Sequence, residues 1–298
     1  MKFSYALILA LVGALAAAVI ISPLAAFALG ATRFHFPFPR IFDRTVMVTV
    51  LAALILLRRP LRFGSLLAAG FRDPRRNWPQ VLWGLAAAAI VMALLFACAM
   101  VAGAHGGPGL GRLYRRIPYY LLQAGVIAII EEAFFRAFLL GGMTADLGRR
   151  GALIVSSAIY SLSHLLRSPA RFYLVGFHPA AGLHNLQGSA VQLSHPVTAV
   201  PAMLGLFLLG LVLGEALILT ETVYLPIGLH AGFVAGVKSW PALMTPGVSL
   251  PWWIAGSRRF PLISAPAGWA AALVLLILLP KLCGTGGARR SSFQLVNL

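Results

Sequence analysis

AIIEEAFFRAF, residues 128–138, decides how the rest of the chain is read, because it sets Glu131, Glu132 and Arg136 inside a run otherwise as apolar as lipid. Charges are excluded from hydrocarbon and from protein cores unless they are paired or used. Widened to 117–140, the run holds twelve Ile, Leu, Val and Phe residues, which together contribute about −4 to −7 kcal/mol to insertion of a helix in a bilayer. Three charges near its centre oppose this by roughly 7–10 kcal/mol. Alone, such a helix inserts marginally, so it requires partners on neighbouring helices, a wet cavity, or neutralisation of its acids. Each of these is a way of building a site.

The surroundings of this helix are equally apolar. The chain has 298 residues, 60% hydrophobic and only 10% charged, with a mean hydropathy of +0.88, far from the quarter-charged composition of soluble domains. A spanning helix needs about 20 mostly apolar residues. Candidate segments lie near 4–29, 45–57, 81–103, 117–140, 151–166, 197–219, 222–238 and 262–280. Continuous apolar runs, rather than alternating ten-residue segments, select helices over a barrel. The expectation is an all-α polytopic membrane bundle of about eight transmembrane helices, forming a single membrane domain over residues 1–298. The first segment has the length of a retained helix rather than a cleaved signal core.

The net charge of +17 reads as a topology and lipid-headgroup signal, and a nucleic-acid partner is not expected. The densest basic cluster, Arg58, Arg59, Arg62, Arg72, Arg75 and Arg76, directs its loop and both termini to the cytoplasm. Cys98 and Cys283 form neither a CxxC pair nor a disulfide framework. The segment 167–196 mixes Phe172, Tyr173 and Phe177 with Arg167, Arg171 and three histidines, a composition suited to an interfacial or re-entrant stretch and equally to an ordinary surface loop. Six tryptophans fall near proposed span ends and read as interface anchors.

Helix geometry separates the charges. Glu132 and Arg136 are four residues apart, about 40° around the helix, whereas Glu131 stands about 100° from Glu132 and 140° from Arg136. Arg136 is therefore the neutralising partner of Glu132. Glu131 faces elsewhere without a sequence-local cation and is the candidate general base. In 156–166, SSAIYSLSHLL, the residues Ser157, Tyr160, Ser161 and His164 share one face at i, i+3, i+4 and i+7. Something polar must meet that stripe. In 224–236, YLPIGLHAGFVAG, His230 lies among Gly228, Gly232 and Gly236, whose spacing lets another backbone approach closely. Glu215 stands near a proposed helix end and reads as structural or interfacial.

This constellation resembles the CPBP family of intramembrane proteases, the CAAX prenyl endopeptidases and bacteriocin-processing or self-immunity proteins also called the Abi family. Its Glu-Glu-x-x-x-Arg motif is matched by Glu131, Glu132 and Arg136. Its Phe-x-x-x-His motif is met by Tyr160 and His164, with the ring kept. Its His-x-x-x-Asn/Asp motif is met at His230, with Val234 where an amide or acid is expected. The resemblance covers about 117–238, the expected catalytic core. It implies an endopeptidase acting on a membrane protein or peptide at the lipid bilayer, and the 21 arginines against 3 lysines in an Ala-, Gly- and Leu-rich chain point to a bacterial source, hence a bacterial plasma (inner) membrane. Glu131 and His164 would activate water, His230 would help bind the oxyanion, and Glu132 and Arg136 would set the charge and orientation of Glu131. The same residues also suit a metal: Glu131, His164 and His230 could ligate one Zn²⁺ and leave a position for water. Gln123 is a candidate substitute for the amide missing at Val234. The alternative of another class is a non-catalytic CPBP-like scaffold or bacteriocin-immunity protein. A proton-coupled transporter is disfavoured by the absence of paired broken helices and of internal repeats.

Overall fold

The computed structural model describes residues 2–32, 35–104, 110–166, 171–243 and 250–284. Among them the chain is almost entirely helical, with one isolated antiparallel bridge between Gly256 and Pro261. The α-helices are α1 (Phe3–Gly30), α2 (Phe38–Leu56), α3 (Phe63–Gly70), α4 (Pro74–Asn77), α5 (Pro79–Val101), α6 (Leu110–Glu132), α7 (Gly141–Leu165), α8 (Ala181–Ala190), α9 (Pro196–Thr220), α10 (Tyr224–Leu243), α11 (Trp252–Ala255) and α12 (Pro266–Leu282), with a π-helical segment, Ala133–Leu140, joining α6 to α7.

Each of the eight apolar segments maps onto helix. Three helical stretches, Phe3–Gly30, Pro74–Val101 and Pro196–Thr220, are long and apolar enough to cross a membrane, and Pro266–Leu282 is a shorter apolar helix. Charges dilute the remainder: α6 carries Arg115, Arg116, Glu131 and Glu132, and α7 carries Asp146, Arg149 and Arg150.

The fold divides into two compact units, one comprising Met1–Gly64 and Leu162–Ala199, the other Ser65–Ser161 and Val200–Leu298. The stretch 117–238 contributes to both. In the first unit, α1 buries an alanine stripe at Ala6, Ala10, Ala14 and Ala18, a spacing that keeps one helix face small. Phe38 and Phe42 of α2 and Ala181 of α8 form a core with Val19 and Phe172. The Phe38 N–H donates to the Phe172 carbonyl at 2.8 Å. The aromatic segment thus threads the α2 start and then forms α8. Its first residues, 167–170, lie outside the described set.

In the second unit α10 lies between α5 and α6. A Cβ on Gly84 of α5 would stand 2.6 Å from both the Leu225 carbonyl oxygen and the Leu229 nitrogen, and one on Gly232 would stand 2.5 Å from the Ala88 Cβ. The glycine face of α10 is therefore in backbone contact with α5, and the small residues on both sides permit it. His230, two residues from Gly228 and from Gly232, is about 200° around the helix from each, which turns it toward α6. Val234 joins an apolar cluster that includes Ala124 and Ala128 of α6.

The polar stripe of α7 serves two purposes. Ser157 packs on Gly210 of α9, and the Ser161 hydroxyl donates to the Met203 carbonyl at 2.8 Å, whereas Tyr160 turns to the π segment. The tryptophan reading is corrected at one position. Trp240 is 7% exposed and stacks on Phe96 with ring centroids 5.5 Å apart, so it is a core residue rather than an interface anchor.

Candidate active site

The site starts from a change of helical pitch. Immediately after Glu132 the backbone becomes π-helical, and the Gly141 N–H bonds to the carbonyl of Arg136 five residues back. Such segments insert an extra residue into a helix and occur often at functional sites. Phe135 to Leu140 are all buried, as expected of a helix surrounded by others. At Gly148, φ 68° and ψ 169° break α7, a conformation that glycine adopts without a Cβ penalty. The chain then returns as the helix that carries Tyr160.

Glu132 is fully buried and makes two contacts. Its Oε2 lies 3.1 Å from Arg136 Nε, and its Oε1 lies 2.7 Å from His230 Nδ1. A carboxylate oxygen accepts, so in this bond the Nδ1–H of His230 donates. The other ring nitrogen, Nε2, stands 3.8 Å from Glu131 Oε2, longer than a direct hydrogen bond. His230 thus spans the two glutamates, one ring nitrogen to each. Glu131 retains 25% side-chain exposure while Glu132 and His230 retain 0% and 2%. The one carboxylate of the pair that is open to an incoming molecule is the candidate base.

Arg136 is enclosed by aromatic rings. Its guanidinium carbon lies 4.6 Å from the Tyr160 ring centroid and 5.9 Å from that of Phe135, and those two rings meet edge to face at 5.1 Å. Cation–π attraction strengthens away from water, which offsets part of the cost of burying an Arg136 Nη2 that has no hydrogen-bond partner among the described residues. Tyr160 also meets the His230 ring at 6.2 Å and 84°. The aromatic position of the second motif therefore serves as the seat of the arginine.

Glu131, Glu132, Arg136, Tyr160 and His230 are brought together in the second unit. His164 stands one turn beyond Tyr160 on α7 and falls in the first unit; its Nδ1 is 3.4 Å from Ser163 Oγ. Gln123 accepts a 3.1 Å hydrogen bond from Lys238 Nζ, two turns of α6 away from Glu131. Phe135 is the residue the sequence reading passed over. Its signal was adjacency to Arg136 in a segment where every neighbour is buried. Among the described residues no three His, Cys, Asp or Glu side chains form a group able to hold a metal ion.

The site is thus a buried carboxylate–imidazole pair beside an arginine, with a second, partly exposed carboxylate, in a chain with three helices long and apolar enough to cross a membrane among the described residues. Residues 113–236 match the model of the family described as type II CAAX prenyl endopeptidase Rce1-like. Over that stretch, which is less than half of the chain, it is similar to the CPBP, or CAAX protease, family, a family of proteases. No curated protein and no solved structure matches the chain.

Proposed function

We propose that the chain is an intramembrane endopeptidase that hydrolyses a peptide bond in a membrane-associated protein or peptide. The observation that carries this reading is the position of His230 between Glu131 and Glu132, in a segment matching a protease family. In the proposed reaction Glu131 takes a proton from water as its oxygen attacks the scissile carbonyl, and returns that proton to the leaving amine when the tetrahedral intermediate collapses. In this step His230 acts as the imidazolium: its Nδ1–H is held by Glu132 and its Nε2–H is presented to the oxygen on which negative charge develops. Glu132 and Arg136 fix the ring, as the carboxylate does in hydrolase triads. This gives Glu132 a different task from the one implied by the resemblance, which was to set the charge of Glu131. The role of His164 as partner of Glu131 rests on the resemblance alone.

The test compares membrane fractions of cells holding the wild-type chain, Glu131→Gln or His230→Ala for one shifted cleavage product. The purified full-length protein is then given that substrate. Cleavage by the wild type and a loss of about 10²-fold or more in both variants is expected from removal of a base or an oxyanion donor. Equal cleavage by Glu131→Gln sinks the reading. Undiminished turnover in metal-depleted protein would remove Zn²⁺ from consideration, and a loss restored by Zn²⁺ would reinstate it.

A further inference from the structure

The outer face of α5 ends in two arginines. α4 leads directly into α5, because Trp78 between them keeps helical angles, φ −54° and ψ −32°, and the joined stretch Pro74–Val101 is long and apolar enough to cross a membrane. Gly84, Ala88 and Met92 are buried where α10 packs. Counted at about 100° per residue, Arg75, Leu82, Ala86 and Ala93 fall within about 20° of the point opposite Gly84, and Arg76, Trp83 and Leu94 lie about 80–100° further round. This whole side is turned away from the protein: Leu82, Trp83, Ile90 and Leu94 are each more than half exposed, and both arginines are exposed. From Trp78 to Val101 the helix rises about 35 Å, which with a modest tilt covers a hydrocarbon layer of about 30 Å. Arg75 and Arg76, less than one turn outside Trp78, then stand at headgroup depth.

The charges at this corner divide into used and unused. Arg72 is paired with Glu221 at the turn between α9 and α10. Among the described residues Arg75 and Arg76 have no ion-pair partner, and with Asp73 and Pro74 they line an open hollow of about 400 Å³. Two guanidinium groups against one carboxylate leave the hollow positive. A guanidinium presents a planar fork of N–H donors that matches a phosphate. Directly below, Trp83, Ile90 and Leu94 stand proud of Ala86, Ala89 and Ala93, so the apolar surface continues from the arginines as a shallow channel along the helix axis.

We propose that this face of α5 is a docking site for a phospholipid with an anionic headgroup. The phosphate lies against Arg75 and Arg76, Trp78 and Trp83 bracket the boundary between headgroup and hydrocarbon as amphipathic aromatics do, and an acyl chain follows the alanine channel beneath. Charge complementarity selects the lipid, since a zwitterionic headgroup brings a cation of its own to the two arginines. The site lies on the side of α5 opposite the one that holds α10 and His230, so it takes no part in bond breaking and does not depend on the peptidase reading.

The test titrates the full-length protein in neutral detergent with tail-labelled phosphatidylglycerol and with phosphatidylcholine of the same acyl chains. One to two effective charges at a membrane surface correspond to about five- to thirtyfold in affinity. Wild-type protein is expected to prefer phosphatidylglycerol by such a factor at about 50 mM salt, and by less at about 500 mM. The double variant Arg75→Gln/Arg76→Gln loses the preference while its melting temperature and its affinity for phosphatidylcholine stay unchanged. Arg149→Gln/Arg150→Gln, which removes the same charge from exposed positions of α7, keeps it. Trp83→Ala weakens both lipids alike. Equal affinities in wild type, a preference that survives in the Arg75/Arg76 variant, or its equal loss in the α7 variant overturns the proposal. Displacement of phosphatidylglycerol by inorganic phosphate as readily as by unlabelled lipid assigns the arginines to a soluble anion and overturns it as well. Should the double variant fail to fold, the single exchanges Arg75→Gln and Arg76→Gln, each expected to lose part of the preference, decide it. No cleavage is measured, so a failure here leaves the peptidase reading untouched, and a failed peptidase assay leaves the lipid site standing.

Discussion

Replacing Glu132 by alanine strands Arg136 in a site where it is 2% exposed and leaves the Nδ1–H of His230 without its acceptor. Breaking a buried ion pair from one side costs about 3–5 kcal/mol. Glu132→Ala is therefore expected to lower the midpoint of thermal unfolding in detergent sharply and to reduce yield. Glu131→Gln behaves differently. Glu131 is a quarter exposed and stands 3.8 Å from its histidine, so the exchange is expected to move stability by less than about 1 kcal/mol while removing turnover; comparable melting losses in the two variants would refute the division of labour. The pairing of Glu132 with Arg136 was legible from a spacing of four. The docking of His230 onto both acids was not, since 98 positions separate it from Glu132 and no local periodicity connects them; only the family resemblance brought them together. The absence of an amide at Val234 also has a local meaning, for that side chain packs with Ala124 and Ala128.

At the scale of elements, α10 holds the histidine in place because its opposite face has no room to shift. A methyl group on Gly84 would press on the backbone of Leu225 and Leu229, atoms that cannot rotate away. Gly84→Ala is expected to destabilise by about 1–3 kcal/mol and to lower activity through displacement of His230. Gly125→Ala, at a position with nothing within 4 Å of the added methyl, should be neutral or up to about 1 kcal/mol stabilising. Unfolding curves of the two variants check this directly, and equal effects would show that the seam is not tight. The glycine spacing of α10 announced a close neighbour but not which one, because Gly84 and Ala88 form only a short small-residue pattern within α5. The serines of α7 were read with Tyr160 as one stripe, yet they bond to or pack on α9, a choice set by tertiary packing.

For the whole molecule, hydropathy located every major helix, but crossing a membrane is a stricter condition that three stretches meet by length and composition alone. The others carry the charges of the site and its flanks, which is why the same residues that make the centre legible obscure the count of spans. Single-cysteine labelling from each side of sealed vesicles, with Cys98 and Cys283 replaced, is expected to report eight crossings and to place the loop bearing Arg58, Arg59 and Arg62 in the cytoplasm. A different count would reassign α2, α7 or α10 as helices shielded by protein rather than by lipid. The π-helical segment has a further effect on how this molecule can be altered. It is one residue longer than a regular helix of the same span requires, so excising a single residue between Ala133 and Leu140 would restore ordinary pitch and better amide geometry while shifting the buried side chains of the segment, Arg136 among them, from their places beside Glu132 and Tyr160. The shortened protein should gain helical regularity and lose its chemistry, so that melting temperature and catalysis part company in one deletion.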